Sequence, residues 1–188
     1  MKSRDKKQGF EESTHELKGQ IESLRIGSRN DDGRGGPRAM SIDGRHAAMS
    51  LLLVEDNPAD VRLMQEALRT SRAKYRLFVV NDGEDAMLFL RRGDNYADMP
   101  VPDVILLDLN LPRKDGRAVL SEVKHDEKLK HIPIVVLTTS ESIDDIARCY
   151  KDHANCYLTK PLSLDKFDEI VRLIETFWFM TVQLPRMA

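Results

Sequence analysis

Four short apolar runs in this chain each end on a charged or hydroxyl residue. Leu51-Leu-Leu-Val54 opens onto Glu55 and Asp56, Val104-Ile-Leu-Leu107 onto Asp108, Val135-Val-Leu137 onto Thr138, and Cys156-Tyr-Leu-Thr159 onto Lys160 and Pro161. Short runs with so little polar interruption read as strands buried on both faces. With a fifth run over 75–80, the strands fall near 51–54, 75–80, 104–107, 134–137 and 156–159. Helices are expected near 59–71, 83–91, 116–125, 142–152 and 164–179. Such alternation implies a parallel sheet covered by helices on both faces. Open sheets of this kind bind ligands outside the carboxyl ends of their strands, which is where all four polar motifs fall.

The residue types gathered there have a definite chemistry. The acidic pair Glu55 and Asp56 would share one crevice with Asp108, an unfavourable crowding of carboxylates unless a cation sits among them. A hard divalent ion suits that donor set. Magnesium prefers oxygen ligands, keeps several waters, and is held by one or two carboxylates together with phosphoryl oxygens. Thr138 and Lys160 add a hydroxyl donor and a positive charge for the same phosphoryl group. A carboxylate in these surroundings can act as a nucleophile and become an acyl phosphate. Each residue also has a plainer reading. Asp108 could be a turn residue ahead of Asn110 and Pro112, Lys160 a solvated lysine, and Tyr157 a half-buried aromatic that never moves.

On these motifs, residues from about 50 to 180 resemble the receiver domain of two-component response regulators. The threonine follows Asp108 by 30 residues and the lysine by 52, as in that family. The resemblance implies a doubly wound, flavodoxin-like fold with five parallel strands in the order 2-1-3-4-5. It implies that Asp108 is the phospho-acceptor, with Thr138 and Lys160 contacting the phosphoryl group. Mg2+ would be held by Glu55, Asp56, Asp108 and the backbone carbonyl of Asn110, Asp56 binding directly and Glu55 through water. Thr138 and Tyr157 would form the conformational switch, and the Lys160–Pro161 bond would be cis. Within the family the chain most resembles stand-alone regulators that partner bacterial phytochrome histidine kinases. The features concerned are Val54-Glu-Asp-Asn-Pro-Ala-Asp60, the long loop from Arg91 to Pro102, Leu107-Asp-Leu-Asn-Leu-Pro112, and the ending Phe177-Trp178-Phe179 with Gln183-Leu-Pro185.

Charge divides the chain in two. Residues 1–50 carry 10 basic and 8 acidic side chains and the remainder 19 basic and 23 acidic, so the folded part is acidic and lacks a nucleic-acid footprint. Residues 1–48, poor in apolar groups and interrupted by Asn30-Asp-Asp-Gly-Arg-Gly-Gly-Pro37, read as a disordered extension, and 49–185 as the receiver domain. A weak stripe of Phe10, Leu17, Ile21 and Leu24 allows a partner-induced helix there, and Met49 could itself be the translation start. Cys149 and Cys156 read as reduced thiols. No apolar run nears the roughly 20 residues of a membrane span, and a cytoplasmic location with no membrane partner is expected.

The last helix points to partners. Leu164, Phe167, Val171, Ile174 and Trp178 recur at three- and four-residue steps, while Ile170, Leu173 and Phe177 widen the apolar arc. An interface of Ile170, Leu173, Phe177 and Trp178, giving a homodimer, is the expectation. The leading function is a single-domain switch: a sensor histidine kinase phosphorylates Asp108, the domain catalyses only its own phosphoryl transfer and dephosphorylation, and output passes by protein contact or phosphorelay. Fewer than ten residues follow the last expected helix, so a DNA-binding output domain after it is not expected. A hydrolase with an aspartate nucleophile would need a second acid two positions on, where Asn110 stands. A receiver-like binding module that is never phosphorylated is the alternative.

Overall fold

In the computed structural model the described residues are 48–69, 73–161 and 163–185. The expectations for the disordered extension and its stripe therefore lie outside them, apart from residue 48. Five parallel strands, β1 (Met49–Val54), β2 (Tyr75–Val80), β3 (Val104–Leu107), β4 (Ile134–Thr138) and β5 (Cys156–Thr159), form one sheet in the order β2-β1-β3-β4-β5. The helices are α1 (Pro58–Arg69), α2 (Gly83–Leu90), α3 (Gly116–His125), α4 (Ile143–Lys151) and α5 (Leu164–Ile174). Fold class and strand order are those expected from the sequence.

Strand residues alternate between two cores, because successive side chains point to opposite faces. Leu52, Val54, Ile105, Leu107, Ile134 and Val136 pack with Ala86 and Phe89 of α2, Val119, Leu120 and Val123 of α3, and Cys149 of α4. Leu51, Leu53, Val104, Leu106, Val135 and Leu137 pack on the other face with Met64, Ala67 and Leu68 of α1 and Phe167, Val171 and Ile174 of α5. Each fully buried leucine or isoleucine stabilises the fold by about 1.5–3 kcal/mol relative to exposure. Apolar residues at every position of β3 thus reflect two hydrophobic environments, not one.

The helix starts are set by short side chains. Asn57 Oδ1 accepts from Ala59 N–H at 3.0 Å with Pro58 in the first helical position. Asp82 Oδ1 caps α2 through the N–H groups of Glu84 and Asp85, both at 2.9 Å, and Asp115 caps α3 through Arg117 N–H at 2.8 Å. Gly116 at the start of α3 lies so close to β3's exit that an added Cβ would come 2.1 Å from the Asp108 carbonyl oxygen. Only glycine lets this helix begin there.

The end of the chain departs from the expected single helix over 164–179. The α-helix stops at Ile174, and Glu175–Thr181 winds on as a wider π-helix. The wider turn brings both Trp178 and Phe179 onto the second core, with Phe179 stacked on Tyr75 at 6.4 Å between ring centres. A regular α-helix would present those neighbours about 100° apart. The π-helical stretch is closed by Val182 N–H donating to the Phe177 carbonyl at 3.0 Å and Thr181 Oγ1 to the Thr176 carbonyl at 2.7 Å.

Candidate functional site

The sheet's hydrogen-bond ladder continues one residue beyond three strand ends, and this fixes the polar residues. Glu55 N–H donates to Val80 carbonyl at 3.0 Å, Asp108 N–H to Val54 carbonyl at 3.1 Å and Lys160 N–H to Thr138 carbonyl at 2.7 Å. Glu55, Asp108 and Lys160 therefore leave the sheet at one edge from β1, β3 and β5, with the backbone of each already committed. Their side chains converge. Lys160 Nζ donates to Glu55 Oε2 at 2.5 Å, Asp60 Oδ2 at 2.8 Å and Asp108 Oδ2 at 2.6 Å. An ammonium has three donors, and all three are used.

The remaining oxygens are satisfied by backbone. Glu55 Oε1 accepts from Asn57 N–H at 3.1 Å, and Asp108 Oδ1 from Asn110 N–H at 3.1 Å. The two buried carboxyls respond in opposite directions. Burial pushes Glu55 up, and its hydrogen bond and charge interaction with Lys160 only partly offset this. Burial acts on Asp108 in the same sense, but the Lys160 and Asn110 hydrogen bonds, the Lys160 charge and the Thr138 hydroxyl together hold it below the usual carboxylate value. Burial also opposes the charge on Lys160, yet the hydrogen bonds to Asp108, Asp60 and Glu55 raise its pKa well above that of a free lysine. The result is an ionised aspartate held beside a fixed ammonium.

Thr138 is fully buried at the end of β4, where its Oγ1 accepts only a long hydrogen bond from Ser140 N–H, 3.5 Å. Tyr157 on β5 is half-buried against the first core and donates its hydroxyl to the Ser140 carbonyl at 2.9 Å. Ser140 Oγ in turn donates to Asp145 Oδ2 at 2.6 Å. Asp145 is gripped by Arg117 from α3, through Nε at 2.9 Å and a second guanidinium nitrogen at 2.7 Å. Thus the loop after β4 is tied to β5 on one side and to α3 on the other.

Other expected residues fall elsewhere. Asp56 and the Asn110 side chain are exposed at the rim, outside the cluster around Lys160. The Lys160–Pro161 bond is trans, since no peptide bond among the described residues is cis, and the cis form implied by the resemblance is corrected. The two isomers of an X–Pro bond differ by only about 0.5–1 kcal/mol, so local packing decides between them. On the last helix Ile170 and Trp178 pack against the second core, whereas Leu173 and Phe177 are 67% and 50% exposed. His125 and His153 are exposed and His131 half-buried, and none of them is among the partners of Lys160.

Two features escaped sequence reasoning. Asp60 joins the ammonium cluster from the first turn of α1; its carboxylate stood within the quoted Val54–Asp60 motif, and only the helix phase brings it to Lys160. The Arg117–Asp145 pair spans 28 residues and carries no local pattern.

Magnesium fits the donors. Every candidate ligand is an oxygen, two of them on buried carboxyls at one crevice, and Asp56 stands at its rim. Among the described residues no group of three acidic, histidine or cysteine side chains is placed to hold a metal ion by itself. Magnesium takes one or two carboxylates and keeps most of its waters.

Comparison with known proteins agrees with the fold. Residues 51–172 match the family model of the response regulator receiver domain. Response regulator Rcp1 of Synechocystis sp. (strain ATCC 27184 / PCC 6803 / Kazusa) is 52% identical over 135 residues, 72% of this chain and 92% of that protein. The crystal structure of the phosphorylated cyanobacterial phytochrome response regulator RcpA aligns with a TM-score of 0.72 at 51% identity, covering 74% of this chain and 100% of that one. The Mn2+-bound form of response regulator Rcp1 aligns at 0.71 and 51%, over 73% and 99%. With the family model running from within β1 to within α5 and including the residues around Lys160, this chain belongs to the response regulator receiver domain family.

Proposed function

We propose that this chain accepts a phosphoryl group on Asp108 from a phosphohistidine of a sensor histidine kinase, and passes the signal on by protein contact. The observation that carries the reading is the Lys160 ammonium 2.6 Å from a buried Asp108 carboxyl that stays ionised. In the transfer, an Asp108 oxygen attacks phosphorus, the phosphorus–nitrogen bond breaks, and its electron pair leaves on the imidazole ring. Lys160 donates to the phosphoryl oxygens and offsets the charge gathering there. Magnesium, when bound by Glu55, Asp56, Asp108 and the Asn110 carbonyl, supplies further charge neutralisation at the same oxygens. Lys160 and the Asn110 N–H hold the nucleophile in line.

Thr138 and Tyr157 are the read-out. The Thr138 hydroxyl, which interacts with the Asp108 carboxyl and accepts a long hydrogen bond from Ser140 N–H, turns to a phosphoryl oxygen. The Ser140 segment follows it, and Tyr157, bonded to the Ser140 carbonyl, moves with that segment. A kinase of the phytochrome type is the proposed donor, because the similar RcpA is a phytochrome response regulator crystallised in its phosphorylated form. Homodimerisation through the exposed Leu173, Phe177 and Met180 end of the last helix completes the reading.

A phytochrome-type kinase carrying a labelled phosphohistidine tests the donor. Label should move to the wild type within minutes and not to Asp108→Asn; retention on the kinase in both cases would reject that donor.

A further inference from the structure

The family reaction accounts for Lys160 and Asp108, but it leaves Asp60 without a role. Asp60 sits in the first turn of α1, while Lys160 lies at the far end of the sheet order, just after β5. A lysine side chain is a flexible four-carbon stem bearing a point charge, so its placement depends on what holds the ammonium. Here the ammonium is held by three carboxylates from three separate elements: Glu55 after β1, Asp60 in α1 and Asp108 after β3. Glu55 and Asp108 belong to the proposed metal set, and their oxygens face other demands once an ion and a phosphoryl group arrive. Asp60 lies outside that set.

Resting on the phospho-acceptor reading, we propose that Asp60 is a positioning residue for phosphoryl transfer, anchoring the Lys160 ammonium so that one N–H remains aimed at Asp108 and the group it receives. Glu55 and Asp60 hold two of the three donors, and the third points to the acceptor. Without Asp60 the ammonium has a free donor and a shallower well, and it swings off the line of transfer. Displacements of about 1 Å at a reacting centre cost up to about a hundredfold in rate. An anchor acting on one of three bonds is expected to contribute less, about tenfold. Because the anchor works through an acceptor oxygen, Asp60→Asn should retain much of the effect while Asp60→Ala loses it.

The test is the rate of phosphorylation by acetyl phosphate at saturating magnesium, followed by intact mass. Wild type, Asp60→Ala and Asp60→Asn are compared, with circular dichroism confirming the fold of each. The expected result is a rate about tenfold lower for Asp60→Ala and within about threefold of wild type for Asp60→Asn. In a Lys160→Ala background, followed over hours, Asp60→Ala should slow the reaction no further. Equal rates for wild type and Asp60→Ala, or the same fold-loss with and without Lys160, would overturn the assignment while leaving the phospho-acceptor reading intact. A wild type that takes up no phosphoryl group would overturn both.

Discussion

A lysine closing a ring of carboxylates is the residue-scale device of this site, and it makes two demands on its neighbours. The first is electrostatic. Removing Lys160 leaves Glu55 and Asp108 facing one another with no cation, and breaking a buried charge cluster in this way costs about 3–5 kcal/mol. Lys160→Met should therefore unfold at markedly lower urea in chelator, and magnesium should restore part of the loss; a midpoint unmoved by magnesium would mean that the carboxylates do not bind the ion. The second demand is steric. A Cβ on Gly116 would press into the backbone of Asp108 and Leu109, at 2.1 and 2.7 Å, where nothing flexible can yield. Gly116→Ala should lose at least about 1–3 kcal/mol by denaturant titration, the scale of an overpacked site. Neither demand can be seen in the glycine or the lysine alone. The polar termini of the apolar runs did announce Glu55, Asp108, Thr138 and Lys160, because a buried strand carries a polar group only where it ends. Asp60 was invisible for the opposite reason: an acid in the first turn of a helix is expected on dipole grounds whatever it faces.

At the scale of elements, α3, α4 and the loop after β4 behave as one linked unit through Arg117, Asp145 and Ser140. The Arg117 hydrogen bond first, and that from Ser140 second, lower the Asp145 carboxyl from 3.8 to about 2. A carboxyl depressed in the folded state contributes stability above its unfolded value and loses it as pH falls through the folded one. The window is thus pH 4 down to 2. Denaturation measured across it should show a loss in the wild type that is shallower in Arg117→Ala; identical slopes would show that the pair does not couple to folding. Strands and helices were legible because buried runs, caps and helical periodicity are local. The helix starts expected at 59 and 142 fall within a residue of those observed at Pro58 and Ile143. The π-helix over Glu175–Thr181 was not legible. Within it Trp178 and Phe179, neighbours in sequence, both pack on the second core, a feature of tertiary packing that no local pattern carries. The trans Lys160–Pro161 bond is similar, an energy difference too small for two residues to decide.

For the molecule as a whole, one edge of the sheet carries the cluster of Glu55, Asp60, Asp108 and Lys160 and the last helix carries an apolar surface, with Leu173 67%, Phe177 50% and Met180 63% exposed. Surface substitutions away from special features change stability by no more than about 0.5 kcal/mol. Leu173→Asp and Phe177→Ser should accordingly leave the fold unchanged and convert a dimer to a monomer in sedimentation velocity. A wild type that sediments as a monomer, with and without phosphorylation, would remove the dimer from the proposal. The strand pattern was sufficient to bring Glu55, Asp108 and Lys160 to that edge, since it is a property of long stretches of sequence. What most directly decides whether the edge works as proposed is magnesium-dependent phosphorylation by acetyl phosphate, mapped by mass spectrometry on the intact protein and its peptides. One labile phosphoryl group on Asp108, lost on chelation of magnesium from the reaction and absent from Asp108→Asn, is the expected result. No adduct at any magnesium concentration in a folded protein, or an adduct that survives in Asp108→Asn, would contradict it.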